Sequence, residues 1–162
     1  MTAVISDTDI LSTFGKIDRV NLLQRLFQHV HVAPAVYWEL LQAERMGFLW
    51  VASIKAAVEL LPLTASESQQ AERLSLRYPQ LGSGEIESFV LAQTHHLLCL
   101  TNDRQAKAVA RALALPYLDL EEILRAVKTR QLLTVEALSR VIAEIEEQDH
   151  TRITAKDQIL GS

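Results

Sequence analysis

The chain has 162 residues, 49% hydrophobic and 22% charged, with 16 basic against 20 acidic side chains and a formal net charge of −4. This is enough apolar material for one globular domain with its own core. The acidic balance excludes a general nucleic-acid-coating protein, which presents a basic surface, but not a nuclease whose acids are balanced by bound cations. The single Cys99 rules out an internal disulfide framework. With no fixed-period repeat, no apolar run of membrane-spanning length and no leader pattern, the expectation is a cytoplasmic protein that makes no membrane contact.

Residues 3–6 (AVIS) read as a short strand. Ile10, Leu11 and Phe14 then recur at helical spacing. After Gly15 and the capping candidate Asp18, so do Val20, Leu22, Leu23, Leu26 and Phe27, which predicts two successive helices. "HVHVAP" (29–34) alternates and is β-branched, so it predicts a second strand stopped by Pro34, which opens a helix to about Arg45. "FLWVASIK" (48–55) is expected to be a further short extended piece. Thr64 followed by Glu67 forms a capping-box pattern for a helix to about Tyr78, broken over 79–84. A helix over 85–95 precedes "LLCLT" (97–101), a continuous apolar run typical of a strand covered on both faces. A helix (103–113), a strand (116–118), a helix starting near Asp119 and a last helix (134–147) follow. The alternation predicts an α/β domain over 1–147, with a mainly parallel central sheet and helices on both faces. A polar, flexible tail is expected over 148–162.

In such sheets ligands bind beyond the carboxyl ends of the strands. Asp7, in "VISDTDIL", directly follows the first strand, and Asp103 directly follows the run 97–101, so both belong over one sheet edge. Glu39 lies about a turn and a half into its helix, and Glu85 opens another after "GSG". Each acid has an ordinary structural role open to it: Asp7 and Asp103 as helix N-caps, Glu39 as a solvated residue, Glu85 as a favourable charge at a helix N-terminus. Glu87, two residues further on, points to a different helix face. Carboxylates gathered in one cleft repel each other unless a cation joins them, and oxygen-only donors suit Mg²⁺ or Mn²⁺. Such an ion polarises a phosphodiester and acidifies a water, so no nucleophilic side chain is required. The chain has no G-x-S-x-G elbow, Walker loop, G-x-G-x-x-G or zinc-spaced Cys/His pair. Arg104, Lys107 and Arg111 form one basic stripe at spacings of three and four, either a substrate-binding face or a solvated one; Lys16 and Arg19 are weaker additions. Trp38 and Tyr37 read as core or interface residues, and Cys99 as a buried strand residue.

"VISDTDILSTFGKIDRVNLLQRLF", "VHVAPAVYWELL", "GSGEIESFVLAQ" and "LCLTNDRQAKAVARALALP" occur in that order between about residues 3 and 133. Together they resemble the PIN domain, a family of metal-dependent ribonucleases that includes the VapC-like toxins of toxin–antitoxin modules. The resemblance implies that Asp7, Glu39, Glu85 and Asp103 are the four catalytic, metal-holding acids. It also implies Asp9 as an outer ligand and Thr101 as a supporting hydroxyl. Mg²⁺ or Mn²⁺ is the implied cofactor, and RNA the implied substrate, cleaved to 5′-phosphate and 3′-hydroxyl ends. A homodimer and an antitoxin protein are the implied partners. The chain departs from the family pattern in having Glu at the third acid, where Asp is more usual. Two rivals remain: a catalytically inactive PIN-like module that binds nucleic acid or protein, and a receiver-like signalling domain. The second is disfavoured because the strand before Pro34 ends without an acid.

Overall fold

The computed structural model describes residues 2–161. Strand β1 (Ala3–Ser6) leads into helices α1 (Thr8–Lys16) and α2 (Val20–Leu26), and β2 (His29–Val32) into α3 (Pro34–Arg45) and α4 (Val51–Ala57). Strand β3 (Glu59–Leu60) leads into α5 (Ala65–Arg77) and α6 (Ser83–His95), and β4 (Leu98–Leu100) into α7 (Arg104–Ala112). After β5 (Tyr117–Leu118) come α8 (Leu120–Thr129), α9 (Val135–Gln148) and α10 (Lys156–Gly161).

Local chemistry sets most of these boundaries. The Asp7 carboxylate accepts the Ile10 N–H at 2.9 Å and starts α1. Pro34 occupies the first turn of α3, where its missing N–H costs nothing. Thr64 and Glu67 form the reciprocal capping box of α5, as the sequence pattern predicts, and Asp119 and Glu122 form another for α8. Helix α6 ends at His96, which takes a left-handed conformation (φ 55°).

The strands form one five-stranded sheet in the order β3-β2-β1-β4-β5, with every pair parallel. The single domain is therefore α/β. Central β1 aligns Ile5 with His31 on one side and with Cys99 on the other. The strand order reverses between β1 and β4, and a crevice opens beyond their carboxyl ends at such a switch point. The Asp7 N–H donates to Leu100 O at 3.1 Å, so the two strand ends stay paired up to the crevice. Val4, Ile5, Leu11, Phe14, Leu40 and Leu100 are buried in the core beneath it.

Two expectations need correction. "FLWVASIK" is not extended: its second half forms α4, with Val51 and Ile54 buried at helical spacing. The cause is tertiary, since α4 packs on Gly15 of α1. A Cβ there would lie 2.9 Å from the Trp50 ring and 3.1 Å from Ile54. The extended piece, β3, falls further on, where Glu59 pairs with His31. The second correction concerns the tail. Residues 149–161 are docked rather than loose, with Ile153 and Ile159 each 1% exposed. The Thr154 hydroxyl donates to Glu121 at 2.9 Å and the Lys128 ammonium to Leu160 O at 3.1 Å. Among the described residues no helix is long and apolar enough to cross a membrane.

Candidate active site

Beyond the ends of β1 and β4, Asp7, Thr8, Asp9, Glu39 and Glu85 line one small cavity of about 40 Å³ together with Val36 and Gly84. Asp9 also borders a second, larger cavity, which adds Asp103 and Arg104. The four acids and the outer Asp9 predicted from the sequence thus come from four separate segments to one crevice.

Asp7 is 7% exposed. One carboxylate oxygen caps α1 and the other accepts the Thr101 hydroxyl at 2.8 Å. Thr101, itself buried, accepts the Asp103 N–H at 3.3 Å on the same oxygen and so ties the ends of β1 and β4 together. Asp103 in turn caps α7 by accepting the Ala106 N–H at 2.7 Å. Capping and site membership are therefore compatible, because each cap occupies one oxygen of the carboxylate.

Glu39 accepts a hydrogen bond from the Thr8 hydroxyl. Its other oxygen approaches the start of α6, where a Cβ on Gly84 would come within 3.3 Å of it. Glycine at this position is what lets the two helices meet around Glu39. Glu85 enters the cavity, whereas Glu87 turns away and accepts the Ala35 N–H at 2.9 Å, closing the N-terminus of α3. This separates the two glutamates as helical spacing predicts.

The electrostatics are strained. Burial pushes the Asp7 carboxyl up to about 7 against the hydrogen bonds from Ile10 and Thr101, with Asp9 and Glu85 adding to the rise. Asp9 is raised by burial and then by Asp103 and Asp149, with Lys16 opposing. Glu85 is raised by burial and further by Asp103 and Glu39. All five acids are therefore coupled. Among the described residues none of them forms an ion pair. Asp7 is buried, Glu85 and Asp103 are half-buried and Asp9 and Glu39 are exposed; with only Lys16 acting on Asp9 to offset it, this excess of negative charge is one that a bound cation would relieve.

No three of the described side chains already stand close enough to ligate one ion. The donor chemistry fits a hard divalent cation: every available group is an oxygen, and no imidazole or thiolate joins them.

The basic stripe is divided. Arg104 borders the larger cavity, but Lys107 pairs with Asp119 at 3.3 Å and Arg111 lies on Tyr117, 2.5 Å from its hydroxyl and 5.9 Å from its ring centroid. Lys16 pairs with Asp149 at 2.8 Å and Arg19 with Glu144 at 3.5 Å. Cys99 is buried and its thiol is pushed up to about 12 by burial and by Asp7, so it is unreactive. Trp38 is 61% exposed and is not a core residue. Three contributors escaped the sequence reading: Thr8, Gly84 and Asp149. The first two sit inside the quoted motifs, while Asp149 lies in a polar stretch that carries no signal.

A search of curated proteins finds no match. Among solved structures, the crystal structure of PAE2754 from Pyrobaculum aerophilum superposes with a TM-score of 0.54 at 15% identity, covering 87% of this chain and 98% of that one. At that identity the likeness shows the fold alone. A family model described as PIN domain matches residues 3–158, which takes in the crevice, all five acids and most of the docked C-terminal segment. The chain belongs to the PIN-domain family, whose members are generally nucleases.

Proposed function

We propose that the protein is a Mg²⁺- or Mn²⁺-dependent endoribonuclease that hydrolyses phosphodiester bonds in RNA. The observation that carries this is the set of coupled carboxylates at the switch point with no lysine or arginine paired to any of them. Asp7, Glu39, Glu85 and Asp103 would hold the ion, with Asp9 in the outer shell. A divalent ion bound there supplies polarisation of a phosphoryl oxygen and a water acidic enough to attack near neutral pH. The chain's part is orientation. Thr101 fixes Asp7 and the turn carrying Asp103, Thr8 fixes Glu39, and the tight pairing of β1 with β4 holds both capping acids at one edge. Burial of Asp7 keeps the dielectric around that carboxylate low, which strengthens its hold on a bound cation.

One observation favours a second reading, an inactive PIN-like binding module: the carboxylates do not yet converge on a common point. Cleavage separates the two. A fluorogenic single-stranded RNA should be hydrolysed with Mn²⁺ and not with EDTA, and Asp7→Asn or Asp103→Asn should abolish turnover while leaving the circular dichroism spectrum unchanged. Full activity in either variant refutes the assignment, and absence of Mn²⁺-dependent cleavage by the unmodified protein favours the binding module. A role as the toxin of a toxin–antitoxin pair belongs to the same proposal; its test is relief of RNA cleavage by the product of an adjacent small gene.

A further inference from the structure

The larger cavity, of about 380 Å³, lies beside the acid pocket and shares Asp9 with it. It lies in the usual size range of small-ligand sites, roughly 300–1,000 Å³. Its lining differs from that of the acid pocket. Ser12, Thr13 and Lys16 come from α1, Asn102 and Arg104 from the turn before and the start of α7, and Thr151 from the docked C-terminal segment.

Asp149, also on its wall, is not available as a further ligand. Its carboxylate accepts from the Lys16 ammonium at 2.8 Å, the Thr13 hydroxyl at 2.8 Å and the Thr151 hydroxyl at 2.5 Å. Its side chain is 8% exposed against 35% for Lys16. The buried acid thus serves as an anchor, and the more exposed ammonium is held at the cavity with hydrogen-bonding capacity left, since it carries three donors. Arg104 has no ion-pair partner among the described residues and supplies a second cation to the same space. The Ser12, Thr13 and Thr151 hydroxyls already donate within the chain and keep only acceptor capacity, for a sugar hydroxyl, while Asn102, whose carbonyl accepts the Leu120 N–H, keeps its amide N–H donors for a base edge.

We propose that this cavity is the subsite for the nucleotide adjoining the scissile phosphate of an RNA strand, with Lys16 and Arg104 contacting its phosphates and Asp149 positioning Lys16. The proposal rests on the ribonuclease reading for the identity of the strand. It gives the C-terminal segment a functional part: residues 149–151 complete the substrate groove.

The test is fluorescence anisotropy of a labelled single-stranded oligoribonucleotide with the full-length protein in EDTA, where no cleavage occurs, over a range of salt concentrations. Lys16→Met and Arg104→Met should each weaken binding about fivefold to tenfold at low salt, and each should flatten the slope of log K against log [salt] by about 0.7. Lys16→Arg should keep most of the affinity. Asp149→Asn should also weaken binding, although it removes a negative charge from the groove; tighter binding in that variant overturns the positioning role. Unchanged affinity and salt slope in Arg104→Met, an exposed position at the start of α7, overturns the subsite. An oligodeoxyribonucleotide bound equally well overturns the assignment to RNA. Cleavage assays keep the two readings apart: with Mn²⁺, Lys16→Met should raise KM at nearly constant kcat. Normal cleavage combined with unaltered RNA binding in both cation variants would sink the subsite and leave the ribonuclease standing.

Discussion

Asp7→Asn should make the metal-free protein more stable, not less, at alkaline pH. The variant keeps the shape of the side chain and its cap on Ile10, and Thr101 can turn its hydroxyl to accept the new amide. What it removes is a charge confined in the interior. The Asp7 carboxyl rises from its ordinary 3.8 to about 7 in the folded state, chiefly through burial. A folded group whose value is raised binds more protons than the unfolded one between those limits, so stability is greatest below pH 3.8 and is lost as pH rises through 7. At 1.36 kcal/mol per pH unit the difference is on the order of 4 kcal/mol above pH 7. For a domain of this size that corresponds to roughly 10 °C in Tm. Urea unfolding in EDTA at pH 5, 6, 7 and 8 reads it directly: the wild-type midpoint should fall over this range relative to that of Asp7→Asn. Saturating Mn²⁺ should then restore the wild type alone, by about 2.7 kcal/mol at one hundred times Kd. A variant no more stable than wild type at pH 8 would refute the claim that Asp7 is an uncompensated buried charge.

Gly84→Ala should lower Mn²⁺ affinity at least tenfold with stability changed by no more than about 1 kcal/mol, because the added methyl meets Val36 at 3.1 Å and Glu39 at 3.3 Å; calorimetry and a urea melt check the two parts. Glu87→Ala should cost about 1 kcal/mol by opening the start of α3 and leave cleavage intact, whereas Glu85→Gln should abolish cleavage; the reverse pattern would exchange their roles. Ile159→Ala should destabilise the protein by about 2–5 kcal/mol in urea, as for a fully buried residue, and no effect would show that the C-terminal helix is not part of the core.

The elements that could be read from the sequence are those whose signals are local. Asp7, Pro34 and the Thr64–Glu67 pair act on backbone groups within a turn of themselves, so pattern and structure agree on where α1, α3 and α5 begin. The parallel sheet followed from alternation, and its order brought Asp7 and Asp103 to one edge. Where long-range contacts decide, local pattern misleads. The apolar, β-branched run 48–55 looks extended, yet its second half is helical because Trp50 and Ile54 pack against Gly15 of α1 while Val51 is buried on the same helix. Strand β3 is two exposed residues long and leaves almost no periodic trace. In the C-terminal segment apolar residues are sparse, and it is docking that buries them: Ile159 lies in α10, which packs on α8 and α9, and Ile153 is buried before that helix begins. The spacing of Arg104, Lys107 and Arg111 was visible, but not that Asp119 and Tyr117, brought in by β5, engage two of the three.

Calorimetric titration of the metal-free protein with Mn²⁺ tests the acid cluster most directly. Saturable binding is expected at pH 7.5, weakening as pH falls below about 7, where a proton on Asp7 competes with the ion, and lost in Asp7→Asn and Asp103→Asn but kept in Glu87→Ala. No saturable heat from the wild type, or affinity untouched by removing either aspartate, would mean that these carboxylates share a crevice without sharing a cation.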